Sequence, residues 1–356
     1  MKYINNFEER RQRHKALFAH ERVDRCCISV RAPIGGFVQE LMPNDAAERE
    51  LYWADKERVY RRAVREFENT YFAGDAIPTL RLNLGAAGHA GFFQGVKHEF
   101  RDSVWFFPNE AIGSDASRII FDPSQILYQK TIEFAKYLVE KANGDFIVSM
   151  PDITGNADVL AHLIGSDNLL YDLYDEPEFI EEALKTIQKV FLGVCAECFE
   201  IYKNAGQTAN SIGWLTTYCE GTHMQMQCDL SVMVSNAMFR KFFLSELREQ
   251  ADYFDYPLYH LDGQEQRAHL DDLLSIEKLN MIQWTSVAGQ PQPIHFIDSL
   301  RKIQKAGKGL LLTVTPAEVS ALLENLSSRG LYLVVKASTP EEADEVVRCA
   351  ERLSHD

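Results

Sequence analysis

The second half of the chain alternates between two hydrophobic periods. Short apolar runs at about Met224–Cys228, Leu258–His260, Asn280–Trp284, Leu310–Val314 and Leu331–Val335 read as strands, being compact and bounded by turn residues. Apolar residues recur at helical spacing over Ala237–Tyr253, Gln266–Ile276, Ile294–Lys305, Pro316–Leu326 and Pro340–Leu353, which predicts helices between and after those strands. Strand and helix thus alternate as in parallel βαβ units, whose strands are buried on both faces and covered by helices.

The first half is less regular. A polar helix is predicted from Asn6 to about His20, then a short strand at Cys26–Val30 that serves as an extra strand or a lid base. Charged helices follow over roughly Ala46 to Tyr71, then a strand at Thr79–Gly85, an apolar segment at Ser103–Phe107, a helix from Pro123 to about Lys141 and a strand at Phe146–Met150. From Asp158 to about Tyr202 the pattern is helical throughout, longer than one crossover requires, so extra helices are expected on one face. Adding the strands near Thr79, Val104 and Phe146 gives about eight, the number that closes a (β/α)8 TIM barrel. The expected fold is therefore α/β, a TIM barrel over 76–356 with an N-terminal helical extension over 1–75. An open doubly wound sheet is the rival, but the G-x-G-x-x-G fingerprint it favours is absent.

In such barrels the segments after the strands build the active site. Collecting them gives the glycine-punctuated loop Gly85–Gly91 with His89, Asp152, the run Gln227, Cys228 and Asp229, the pair His260 and Asp262, Trp284, and Thr313 with Thr315. The richest stretch is YPLYHLDGQEQRAHLDDLL (Tyr256–Leu274), where a strand meets a helix. Residues two apart on a strand share a face, so His260 and Asp262 should point one way and Leu261 the other. His223, Cys228 and His260 offer imidazole and thiolate, which zinc accepts, although no compact ligand spacing is present and an apolar strand Cys with a hydrogen-bonded His reads the same residues without metal. Asp229 and Asp262 suit an acid and a base, or carboxylates that orient His260; Asp262 equally suits a helix cap. Arg31 with Gly35 and Gly36 forms a cationic loop, and Trp284 is an aromatic wall or a core residue.

Charge narrows the partners. The formal net charge of -15 over 356 residues disfavours nucleic acid and anionic membranes, leaving small molecules and proteins. A charged N-terminus without an apolar signal core, and seven scattered Cys that suit reduced thiols, point to the cytoplasm.

Three segments carry a resemblance. QCDLSVMVSNAMFRKFFLSELREQ (Gln227–Gln250), LYHLDGQEQRAHLDDLLSI and NLGAAGHAGFFQG are similar in order and spacing to segments of the superfamily of uroporphyrinogen decarboxylase and the cobalamin-dependent coenzyme M methyltransferases. The chain looks closer to an uncharacterised methyltransferase-like branch than to the true decarboxylase, whose arginine-rich segment is reduced here to Arg31. The resemblance implies a barrel with a ligand cavity at the strand C-terminal mouth. The candidate catalytic residues are Asp229, His260 and Asp262, and the candidate substrate contacts Arg31, His89, Asp152, Gln227 and Trp284. The methyltransferases bind zinc through a His-x-Cys pair and a later Cys; here those positions hold His260, Asp262 and Thr313 or Thr315, so Cys228 with His260 is the candidate zinc set. The expected function is methyl transfer between a corrinoid carried by a partner protein and a small thiol or amine-derived substrate. Decarboxylation of a porphyrinogen or other carboxylic acid, and non-catalytic tetrapyrrole binding, are the alternatives; a homodimer is the candidate assembly.

Overall fold

The computed structural model describes residues 1–287 and 289–356. Its strands are β1 (Cys27–Pro33), β2 (Thr70–Gly74), β3 (Thr79–Leu80), β4 (Lys97–Phe100), β5 (Val104–Phe107), β6 (Ile147–Val148), β7 (Gln225–Met226), β8 (Leu258–Asp262), β9 (Met281–Thr285), β10 (Gly309–Val314) and β11 (Leu331–Lys336). Seven of them form one sheet in the order β2-β1-β11-β10-β9-β8-β7, parallel throughout except for β1 with β2. β3 and β6 form a separate parallel pair, which a parallel bridge from Met150 to Ile212 extends by one strip. The protein is thus mixed α/β, with a mostly parallel central sheet and many helices.

Two expectations about strands change. Ser103–Phe107 is not a member of the central sheet: β5 pairs antiparallel with β4 in a separate ribbon, where Val104 is buried and Trp105 is 48% exposed. A two-stranded ribbon buries one side chain in two, and the alternating burial of Val104, Trp105, Phe106 and Phe107 fits that rather than a strand covered on both faces. Cys26–Val30, in contrast, lies inside the main sheet, because β1 runs parallel to β11 and antiparallel to β2. Its residues Cys27, Ile28, Ser29 and Val30 are all buried, as a strand packed on both faces requires.

Alternate residues of the parallel strands sort into two cores. Ile28, Val30, Met226, Cys228, Tyr259, Leu261, Ile282, Trp284, Leu310, Leu312, Leu333 and Val335 pack into the large cluster shared with the helices. Their neighbours Cys27, Leu258, Met281, Leu311, Tyr332 and Val334 form a smaller cluster with Ile212, Leu215 and Cys219. Leu17 and Phe18, at the end of α1 (Phe7–Phe18), join this second cluster and cover its lower end.

Buried charge ties that helix to the sheet. Asp75 is fully buried, takes Arg25 at 2.5 and 3.2 Å, accepts the Ile28 backbone N–H at 2.9 Å, and has Arg13 at 3.4 Å. His14 bonds the Asp75 carbonyl through Nε2 at 2.8 Å. The remaining early helices are α2 (Ala46–Ala54), α3 (Lys56–Glu68), α4 (Ile126–Ala142) and the consecutive α5 (Asn156–Ile164), α6 (Ser166–Asp175) and α7 (Pro177–Asn204), which bear out the long helical stretch read from the sequence. Among the described residues, no helix is long and apolar enough to cross a membrane.

Candidate active site

On the sheet face that carries the smaller core, each strand turns from apolar to polar toward its C-terminal end. Leu258 is followed by His260 and Asp262, Met281 by Gln283 and Thr285, Leu311 by Thr313, Tyr332 and Val334 by Lys336, and Cys27 by Ser29 and Arg31. Register places these polar residues side by side: His260 is level with Gln283, Asp262 with Thr285, and Arg31 with Lys336. Continuing the β7–β8 register puts Gln227 and Asp229 beside His260 and Asp262.

Asp229, His260 and Asp262 each present a ligand atom, and these atoms lie within 4.8 Å of one another. His260 Nε2 is 3.8 Å from Asp262 Oδ1. The other ring nitrogen, Nδ1, bonds Gln283 Oε1, while Gln283 Nε2 donates to Thr285 Oγ1 at 2.5 Å. An amide oxygen only accepts, so Nδ1 carries the proton and the Nε2 lone pair faces the acids. Burial lowers the pKa of His260 despite the support of Gln283 and Asp262, which favours the neutral ring. Trp214 meets that ring edge-on, with centroids 4.9 Å apart and an interplanar angle of 81°.

Asp229 is held by amides and by an acid. Gln227 Nε2 donates to its Oδ2 at 3.0 Å, and Gln266 Nε2 approaches Oδ1 at 3.5 Å. Its backbone N–H and that of Leu230 donate to the two oxygens of Asp158, at 3.1 and 2.9 Å. Asp158 sits in the first turn of α5, so the helix layer fixes the bend where the chain leaves β7. Burial, then the charges of Asp158 and Asp262, push Asp229 up to about 8. Burial likewise raises Asp158. Among the described residues the ion-pair partner of Asp262 is His260 itself, and the largest effects on Asp229 after burial come from the acids Asp158 and Asp262.

Several other expected residues stand elsewhere. Cys228, taken with His260 as a metal pair, shares its register position with Leu261 and turns into the helix-side core; it is fully buried there, and burial raises its thiol well above the ordinary value. The oxygens of Asp229 and Asp262 stand beside His260 instead of a thiolate. Trp284 also faces the helices, 1% exposed and packed on Phe296, so it forms no wall at the mouth. His89 lies in the helix layer, fully buried against Phe191, with Nε2 3.3 Å from Asn156 Oδ1; burial lowers it to about 3. Asp152 is within electrostatic reach of Asp229 and His260, and Arg81 pairs with it at 2.5 Å. Arg31 lies on the polar face of β1, level with Lys336. His223 bonds Thr217 Oγ1 at 3.0 Å and the Tyr256 carbonyl at 2.5 Å, at the other end of its strand.

Gln283, Thr285, Trp214, Gln225 and Asp158 were not among the expected residues. Gln283 and Thr285 had a signal, since they keep the parity of a strand that ends beside the His260 strand. Asp158 and Trp214 had none locally; only packing brings them in.

Comparison with known proteins supports this architecture. No family model matches the sequence, and no curated protein matches it. Among solved structures, the chain is similar to a methyltransferase from Methanosarcina mazei, with a TM-score of 0.58 and 14% identity over 96% of this chain and 98% of that one. The fold is methyltransferase-like.

Proposed function

We propose that this protein is a methyltransferase-like enzyme of the uroporphyrinogen decarboxylase superfamily, in which Asp229, His260 and Asp262 activate a small substrate at the mouth of a barrel. The observation that carries the reading is the grouping of those three ligand atoms within 4.8 Å at the C-terminal ends of neighbouring parallel strands. Ring closure is supported by the smaller core, where inward residues of β1, β8, β9, β10 and β11 pack with Ile212 from beyond β6. The likeness to a methyltransferase over nearly the full length of both chains supports the reaction class.

A divalent cation, zinc in the first instance, fits the three residues. Imidazole and carboxylate are ligand types it accepts, the His260 lone pair already faces the acids, and Asp229 is buried beside the charges of Asp158 and Asp262, which a cation would offset. Bound there, zinc supplies the positive charge that turns a nearby thiol into a thiolate at neutral pH. His260 is held in its coordinating tautomer by Gln283, and the amides of Gln227 and Gln266 hold Asp229. Arg31 and Lys336, level with each other on β1 and β11, suit an anionic tail of the same substrate. The methyl donor is a corrinoid presented by a partner protein.

A second reading has an observation of its own. An acid at about 8 keeps its proton near neutral pH, so Asp229 is suited to protonate a carbon from which carbon dioxide has just left. In that case the bonding pair stays on carbon and Asp229 supplies the proton.

The deciding experiment combines metal analysis of untagged protein with methyl transfer from methylcobalamin to small anionic thiols, followed by visible absorbance. About one equivalent of zinc, and methyl transfer lost in His260→Ala, supports the first reading. Protein free of metal that releases carbon dioxide from carboxylic acids supports the second and sinks the first.

A further inference from the structure

A line of hydrogen bonds runs to Asp229 from Trp214, which makes no contact with that carboxylate by itself. Trp214 Nε1 donates to Gln225 Oε1 at 2.6 Å, Gln225 Nε2 donates to Gln227 Oε1 at 2.7 Å, and Gln227 Nε2 donates to Asp229 Oδ2 at 3.0 Å. Gln225 is 3% and Gln227 7% exposed, so water offers little compensation for a wrongly turned amide. An amide can be rotated by half a turn and exchange its donor for its acceptor at almost no cost in shape. What removes that freedom is the indole at the head of the line, because an indole N–H donates and never accepts.

We infer that Trp214 is a positioning residue, whose N–H sets the direction of the Gln225 and Gln227 amides and so delivers a donor, not an acceptor, to Asp229. With Gln225 turned the other way, its amide nitrogen meets the indole N–H, donor against donor. Gln227 then loses its donor from Gln225, and its oxygen is free to face Asp229, acceptor against acceptor once that carboxylate is ionised as a cation ligand must be. Each mismatch leaves a buried group unsatisfied, which costs roughly 1–3 kcal/mol. One donor at the rim thereby sorts three side chains. The same indole lies against His260, so one side chain orders an amide line and walls the imidazole.

The inference deepens the proposed cation site, since it rests on Asp229 being a group that binds there, but it can be read without any ion. Neutron diffraction from a deuterium-exchanged crystal of the whole protein locates the amide deuterons. Deuterons on Gln225 Nε2 toward Gln227 and on Gln227 Nε2 toward Asp229 support the inference; either amide turned the other way overturns it, whether or not a cation binds. In solution, Trp214→Phe keeps an aromatic ring but removes the donor together with part of the indole, so a double-mutant comparison separates the two effects. Zinc affinity by titration calorimetry should fall about tenfold, the usual effect of groups that orient metal ligands. In a Gln227→Met background the same change should cost nothing further, because the line is already cut. Equal losses in both backgrounds mean that Trp214 acts by packing alone and refute the inference. Wild-type protein that binds no zinc removes the cation reading and leaves the neutron result to decide the direction of the line.

Discussion

At the scale of single residues, the site depends on which face of a strand a side chain takes. Cys228 and Asp229 are neighbours in sequence, yet one packs under helices and the other enters the polar mouth. At the proposed cation site, Asp262→Ala should therefore weaken zinc binding at least about tenfold, and Cys228→Ala should leave it within about twofold, both read by calorimetry. The reverse outcome makes the thiol a ligand and the observed register irrelevant to the chemistry. Gly155 is a second such position. Its φ of +81° suits glycine, and a Cβ there would overlap the Asp158 carboxylate. Gly155→Ala should cost about 1–3 kcal/mol in denaturant unfolding and also weaken zinc binding, because it displaces the acid that holds the Asp229 backbone.

At the scale of elements, each central strand serves two cores at once. The outer residues of β8 and β9, Tyr259, Leu261, Ile282 and Trp284, anchor the sheet to the helices, while the inner ones run from core to mouth. The two functions separate by mutation. Trp284→Ala leaves a large void under Phe296 and should cost about 3–5 kcal/mol in chemical denaturation. Zinc affinity of the folded fraction should be unchanged. A variant that loses affinity without losing stability would return Trp284 to the mouth. Strand existence was legible from apolar runs bounded by turns, and β8 through β11 fell where the pattern put them. The β5 ribbon and the place of β1 were not legible. A four- or five-residue apolar run reads alike whether its partner is a buried parallel strand or a single exposed neighbour.

At the scale of the whole molecule, acids are spread from the helix layer to the mouth. Glu246 is buried among Asn156, Gln188 and Gln250, and burial pushes it up to about 8 from 4.5. A raised acid stabilises the fold fully below its unfolded value, and that contribution is lost as pH rises through its folded value. Between pH of about 4.5 and 8, Glu246 should thus lower stability by up to roughly 1.4 kcal/mol per pH unit. Glu246→Gln should flatten that slope, so the variant gains on the wild type as pH rises; parallel stability curves would show that Glu246 ionises freely. By itself the sequence determined the strand and helix periods, the acidic surface, and the pairing of His260 with Asp262, because each depends only on spacing along the chain. Tertiary structure decided that Asp229 joins them and Cys228 does not, that Gln283 fixes the imidazole, and that Asp158 and Trp214 reach the site from distant segments. Those outcomes depend on register and layer packing, which set distances between residues that no local pattern relates.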